Sequence, residues 1–287
     1  MTIREAEKIR RRFYHLSNPS EEDSFMFTEA MGFLIEKTEN PNCMVELGAH
    51  YYRQRLFDLA LKYYEQAAEY DNIYAISDLG YIWYYGRTGE KNYEKAFYYF
   101  DRAAKMGDTA AAYKVADMYK NGYWVERDYD KYASIIKDLY KKPGEHLPEI
   151  YSRLAGIYDK EGRTAEALEL RDTARGVLAE RIARNPFFGN LTIMKWLIEG
   201  IYALRPFDPR NADIYDLYHV FASPAKALLR YGGKDYEAEA VPDGDGLGIR
   251  LGDRWFRTID DFFAKAEIEG EPITALYEYI TVYGIDQ

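Results

Sequence analysis

Small and apolar residues recur through the middle of the chain at a fixed interval of thirty-six positions. Leu79, Ala96 and Ala103-Ala104 are answered downstream by Val115, Tyr132 and Leu139-Tyr140, while Ala60 and Ala67-Ala68 stand thirty-six residues before Ala96 and Ala103-Ala104. A period of this size predicts stacked helix pairs, because each pair has an apolar face too large to cover alone and buries it against its neighbours. The best copy runs from Ala75 to Gly107. It reads Ala75-x-x-x-Leu79-Gly80-x-x-Trp83-x-x-Gly86, turns through Gly89, and continues Asn92-x-x-Lys95-Ala96 and Tyr99-Phe100-x-Arg102-Ala103-Ala104-x-x-Gly107. Leu79, Trp83, Tyr99 and Phe100 are the space-filling residues. Gly80 and Ala96 let the two helices cross closely, where a bulky side chain would overpack by about 1 to 3 kcal/mol. Ala103 and Ala104 admit the next first helix, and Gly86, Gly89 and Gly107 suit helix ends and turns with positive φ.

This order of residues closely resembles the Sel-one-like repeat, a relative of the tetratricopeptide repeat, and more than ten positions agree in sequence. The next copy agrees at Ala111, Val115-Ala116, Tyr119, Gly122, Val125, Asp128 and Lys131, and then degrades, with Leu139, Tyr140 and Pro143 in place of Ala-Ala and Gly. Upstream, Leu47-Gly48-x-x-Tyr51 leads to Ala60 in twelve steps from Gly48, against sixteen from Gly80 to Ala96, which is the shorter turn of a tetratricopeptide-like pair. Leu154-Ala155-x-x-Tyr158, followed by Ala167 and Ala174, gives a fourth pair with the same twelve-step turn. The resemblance covers about residues 44–183. Residues 2–16 and 21–38 read as two further helices, with Ser20 and Asp23 as a capping signal, and would close the open end of the stack.

The style changes at Asn185-Pro186. Phe187 to Leu204 and Ala212 to Phe221 read as helices, and three short strands follow at Lys226–Tyr231, Asp235–Val241 and Leu247–Leu251, joined by turn chemistry at Gly232-Gly233 and Asp243-Gly244-Asp245-Gly246. Thr258 and Asp261 open a helix, and Pro272 opens a last one ending near Tyr283. The expected fold is therefore mainly α. It comprises N-terminal capping helices (1–43), an α-α superhelix of helix pairs (44–184), and a small α+β module with an antiparallel three-stranded sheet (185–287).

Composition narrows the function. The 287 residues carry a net charge of -10, which opposes a phosphate backbone, so nucleic acid is not an expected partner. The basic run Lys8–Arg12 reads as a solvated helix end, with contact to an anionic partner as the alternative. No apolar stretch approaches a membrane span and Met1 to Lys8 has no apolar signal core, so a soluble cytoplasmic protein is expected, with no membrane contact. Cys43 is the one cysteine, and His15, His50, His146 and His219 lack metal-binding spacing. No metal or cofactor is expected. Asp243 and Asp245 fit a hairpin turn better than a calcium loop, Asp260-Asp261 fits a helix start, and Trp255 in Arg254-Trp255-Phe256-Arg257 reads as core, with a binding role for that run as the alternative.

What remains is recognition. The chain has 29 tyrosines, a residue that supplies contact area at small entropic cost. The resemblance implies that ligand contacts come from the first helix of each pair. Counted from Leu79 these positions are Tyr74, Ser77, Tyr81, Tyr84 and Tyr85; from Val115, Ala110, Tyr113, Asp117, Lys120 and Asn121; and from Leu47, Tyr52 and Arg53. The pattern requires an aromatic at Trp83 but not at Tyr81, Tyr84 or Tyr85, so these tyrosines read as a groove rather than as packing. The resemblance thus implies a noncatalytic adaptor that binds a protein or peptide on its concave face. The alternatives are an enzyme or small-ligand site in the C-terminal module, or an inhibitor acting through its acidic surface.

Overall fold

The computed structural model describes residues 1–16, 19–142, 147–186 and 188–286. The expectations resting on Pro143, His146 and Phe187 lie outside the described residues. Two compact units, Met1–Leu139 and Tyr140–Gln287, divide the chain.

The first unit is helical throughout its described residues: α1 (Ile3–Tyr14), α2 (Glu21–Thr38), α3 (Pro41–Arg53), α4 (Phe57–Ala68), α5 (Ile73–Tyr85), α6 (Tyr93–Lys105), α7 (Thr109–Asn121) and α8 (Tyr129–Tyr140). The first helix of each pair starts on the same device. Asn40, Asn72 and Asp108 precede α3, α5 and α7, and each side chain accepts a backbone N–H of the first turn, a cap worth about 1 kcal/mol. Ser20 and Asp23 form the expected capping box on α2. Gly86, Gly89 and Gly107 all have positive φ. At Gly86 the need is steric as well, since a Cβ there would meet the backbone N of Lys91 at 2.8 Å.

Packing follows the small residues. Ala75, Ile76, Leu79, Ile82, Ala96, Phe100 and Ala103 are all fully buried in one cluster with Tyr64 and Ala67. A Cβ on Gly80 would stand 2.5 Å from the Phe100 ring, and one on Gly48 would stand 2.7 Å from the Tyr64 ring. The two helices of the pair α3–α4 and those of the pair α5–α6 therefore cross by the same contact. Phe13, Phe27, Met31 and Leu34 of α1 and α2 bury Cys43 and Leu47 of α3. Part of the basic run is tied down rather than solvated: Arg10 forms an ion pair with Glu46 of α3, while Arg12, 3.6 Å from Asp23, stays exposed.

The second unit contains α9 (Leu147–Lys160), α10 (Thr164–Arg184), α11 (Phe188–Tyr202), α12 (Leu217–Val220), α13 (Ile259–Lys265) and seven strands among the described residues. Ala174, Leu178 and Ile182 of α10 share one core with Leu191, Ala227, Leu229, Phe262 and Phe263, so the hydrophobic core runs across the change of style at Asn185. Strands β1 (Ala225–Tyr231), β2 (Lys234–Asp243), β3 (Gly246–Leu251), β4 (Arg254–Phe256) and β7 (Thr281–Asp286) form an antiparallel sheet in the order β4-β3-β2-β1-β7. A short hairpin joins β5 (Glu267–Ile268) and β6 (Glu271–Pro272).

The sheet thus has five strands where the sequence suggests three. Gly252, at φ 56°, turns the chain so that β4 can pair back on β3. The helix expected from Pro272 to Tyr283 is absent: Pro272 lies in β6, and Thr281–Asp286 pairs with β1, placing Val282 in the core. The helix expected over Ala212–Phe221 is broken. Asp208 and Asp213 each cap a short 3-10 turn, at Pro209–Asn211 and Ile214–Asp216, leaving only α12 as α-helix.

Candidate functional site

Helices α3, α5 and α7 each present tyrosine at the positions that follow or precede the small crossing residue. On α5 and α7 these side chains meet. The hydroxyls of Tyr81 and Tyr113 lie 3.4 Å apart, the Tyr81 and Tyr85 rings stack at 6.2 Å, and Tyr84 stands edge-on to Tyr85 at 5.1 Å. Lys114 of α7 lies among them. Its Nζ is 5.1 Å from the Tyr84 ring centre, 5.5 Å from those of Tyr81 and Tyr85 and 5.9 Å from that of Tyr113, and it donates to Tyr85 Oη at 3.4 Å. Cation–π attraction of this kind contributes about 0.5 to 2 kcal/mol per favourable pair.

Arg87, in the loop after α5, extends the face to α3. Its guanidinium lies 5.1 Å from the Tyr85 ring, 5.7 Å from Tyr52 and 5.6 Å from Phe57, and its Nε donates to Tyr52 Oη at 2.8 Å. Asp78 of α5 is partly buried nearby. Burial, reinforced by the charge of Asp108, pushes its carboxyl up to about 7 against the opposing hydrogen bond from Tyr64. Burial raises the Tyr81 hydroxyl well above the usual phenol range, and burial together with Asp117 raises that of Tyr84. These phenols are therefore neutral donors and acceptors at physiological pH.

The other expected residues are distributed differently. Tyr74 stands apart at the start of α5 and is 66% exposed, whereas Ser77 is buried. Arg53 and Asn121 are exposed at the ends of α3 and α7, and Lys120 reaches over the Tyr132 ring at 5.3 Å. Packing also accounts for more of the tyrosine surplus than the repeat pattern suggests. Tyr81 lies edge-on to Phe100 at 5.0 Å, and Tyr84 touches Phe100, Tyr93 and Tyr123. Tyr85, Tyr52, Arg87 and Lys114 are the members with surface left to offer. Lys114 and Arg87 carry no signal along the chain, because they reach the site only when neighbouring helices are packed.

His50 is enclosed by Phe13, Phe27 and Tyr51, His219 packs at a tilt against Tyr202 and Phe207, and Cys43 is buried. A cavity of about 490 Å³ beside the α7–α8 loop is lined by Tyr119, Glu126, Arg127, Asp128, Tyr129 and Asp130. Among the described residues no group of three or more His, Cys, Asp or Glu side chains is placed to hold a metal ion. Asp243–Gly246 closes the β2–β3 hairpin, and Asp260 and Asp261 sit in the first turn of α13. Trp255 is not core: it is 50% exposed and lies on Gly248, where a Cβ would come within 2.0 Å of its ring.

Comparison with known proteins bears on the repeats. The family model described as Sel1 repeat matches residues 41–70, 73–108 and 109–133, segments that coincide with the pairs α3–α4, α5–α6 and α7 with the start of α8. A curated relative, the ERAD-associated E3 ubiquitin-protein ligase component HRD3 of Candida glabrata, is 29% identical over 180 residues, covering 58% of this chain and 21% of that protein. The chain therefore spans about a fifth of the curated relative it matches. Among solved structures, a protective antigen of uropathogenic Escherichia coli strains displaying an SLR fold superposes with a TM-score of 0.50 at 16% identity, covering 77% of this chain and 53% of that one. A Sel1 repeat protein from Oxalobacter formigenes superposes with a TM-score of 0.49 at 24% identity over 69% of this chain and 78% of that one. No described helix is long and apolar enough to cross a membrane.

Proposed function

We propose that this chain, whose residues 41–133 belong to the Sel1 repeat family, is a noncatalytic binding scaffold that takes an extended segment of a partner protein on the face formed by α3, α5 and α7. The observation that carries the reading is the continuous aromatic strip from Tyr52 through Arg87 and Tyr85 to Lys114, which links three successive first helices. Rigid phenol rings with a hydroxyl at the tip bury area at small entropic cost and satisfy a passing backbone group as donor or acceptor. The C-terminal module would supply the second contact of an adaptor through the outer face of its sheet, where Trp255 is exposed.

Affinity capture from the native cell tests this. Proteins retained by the natural chain should be lost when Tyr52 and Tyr85 are both replaced by alanine. If the retained set is indifferent to that pair and is lost instead with Trp255→Ala, the solenoid face is not the site.

A further inference from the structure

We infer that the segment held on this face is acidic, carrying carboxylate side chains that meet Lys114 and Arg87. The inference rests on the binding role just proposed and goes further, to the chemistry of the occupant. Neither cation has a carboxylate within ion-pair distance among the described residues, although the chain has ten more acidic than basic side chains and pairs many of its other cations. Lys114 donates only to a phenol, and so does Arg87, whose two Nη groups make no hydrogen bond to any described residue. A guanidinium with free Nη groups is a fork for a carboxylate.

The spacing suits a peptide. Both cations rest against the Tyr85 ring, at 5.5 Å and 5.1 Å from its centre, so they lie within about 11 Å of each other. An extended chain advances about 3.3 Å per residue, and carboxylates two or three positions apart can therefore reach both. Of the acids near this face, Asp78 accepts the Tyr64 hydroxyl and Asp117 acts on Tyr84. The overall charge of -10 opposes an acidic partner little, since most of it lies beyond the distance of about 8 Å at which physiological salt screens it. Contact is decided by the local cations.

A displayed library of random twelve-residue peptides, fused through their C-termini so that only side-chain carboxylates are available, tests the inference on the full chain. Peptides selected on the natural protein should be enriched in Asp and Glu. A synthetic selected peptide should bind about tenfold or more weakly after Lys114→Gln or Arg87→Gln, and Lys114→Glu with Arg87→Glu should redirect selection to Lys and Arg. Thermal melts check that each variant is folded, and the Gln variants stand in if the reversed pair is not. Peptides that depend on Tyr85 but show no acidic enrichment, or bind the Gln variants equally well, overturn the inference and leave the groove. Selection that yields nothing, or yields peptides indifferent to Tyr85→Ala, overturns the groove itself.

Discussion

Gly80 faces Phe100 so closely that a single added carbon would stand 2.5 Å from the ring, well inside van der Waals contact. Phe100 is fully buried and is held by Tyr81 and Tyr84, so it has no free direction in which to give way. Gly80→Ala is expected to cost about 1 to 3 kcal/mol. Gly80→Leu should cost more and lower the melting temperature of the first unit by several degrees. Gly32, which has no atom within 4 Å of its missing Cβ, is the control, and Gly32→Ala should leave the melt unchanged or slightly raised. Equal melts for all three variants would show that α5 and α6 do not cross at this glycine.

The tyrosines divide by burial into two classes that mutagenesis should separate. Tyr81 lies mostly buried against Phe100, and Tyr84 is wedged between Phe100, Tyr93 and Tyr123, so alanine at either should destabilise by about 3 kcal/mol or more. Tyr81→Ala with Tyr84→Ala is therefore not a clean binding test. Tyr85→Ala, at a side chain 43% exposed, should leave the melt within about 1 kcal/mol of the natural chain while weakening a bound peptide. Tyr81→Phe keeps the ring and removes only the contact with the Tyr113 hydroxyl. A large loss of stability in Tyr85→Ala would turn the exposed strip back into core.

Much of this was legible along the chain because it is local. The Leu79-Gly80 to Ala96 spacing, the Ser20–Asp23 cap and the glycine turns each depend on residues a few positions apart, and α3 to α8 follow them. Strand β7 was not legible, since Thr281–Asp286 becomes a strand only by finding the free edge of β1, more than fifty residues upstream. Trp255 was misplaced for a related reason. The residue that fixes it on the outer face is Gly248 on the neighbouring strand, whose missing side chain makes room for the ring. The same holds for Lys114 and Arg87, which join the site only through helix packing.

His50 gives the first unit a pH dependence of known sign. Burial, with a smaller effect from Arg53, lowers its imidazole below the usual 6.5, and it is packed between Phe13 of α1, Phe27 of α2 and Tyr51, with Gln54 at 2.9 Å from Nε2. A group whose folded pKa is depressed supports the fold above its unfolded pKa and loses that support as pH falls toward the folded value. Asp78 acts oppositely: its carboxyl is raised to about 7, so its contribution is present in acid and is lost as pH rises from about 4 to 7. The two are separated by difference. The melting temperature of the natural chain minus that of His50→Phe should fall as pH drops below about 6.5, whereas Asp78→Asn should gain on the natural chain as pH rises toward 7. A flat difference curve for His50→Phe would show that the ring is protonated as easily in the fold as outside it.

In the second unit the decisive contact is ionic and buried. Asp216 is almost completely enclosed and accepts a hydrogen bond from Tyr202 Oη at 2.6 Å, while Arg175 of α10 lies 2.9 Å from it and 2.6 Å from Asp213. Asp216 also caps the turn that Asp213 opens, through a bond from the Asp213 backbone N–H at 2.9 Å. One carboxylate thus ties α10, α11 and the 3-10 turn ahead of α12 together. Asp216→Ala strands the Arg175 guanidinium, leaving only the half-exposed Asp213 to compensate it, and the loss expected for breaking a buried pair is about 3 to 5 kcal/mol. Asp216→Asn keeps the shape and the Tyr202 bond but removes the charge, so it should fall between. Because α10 shares its core with the sheet, the loss should appear in hydrogen exchange across β1, α11 and α13 and leave α3 to α7 protected as before. Exchange that quickened only in α9 and α10, with the sheet unaffected, would show that the fourth helix pair unfolds apart from the module.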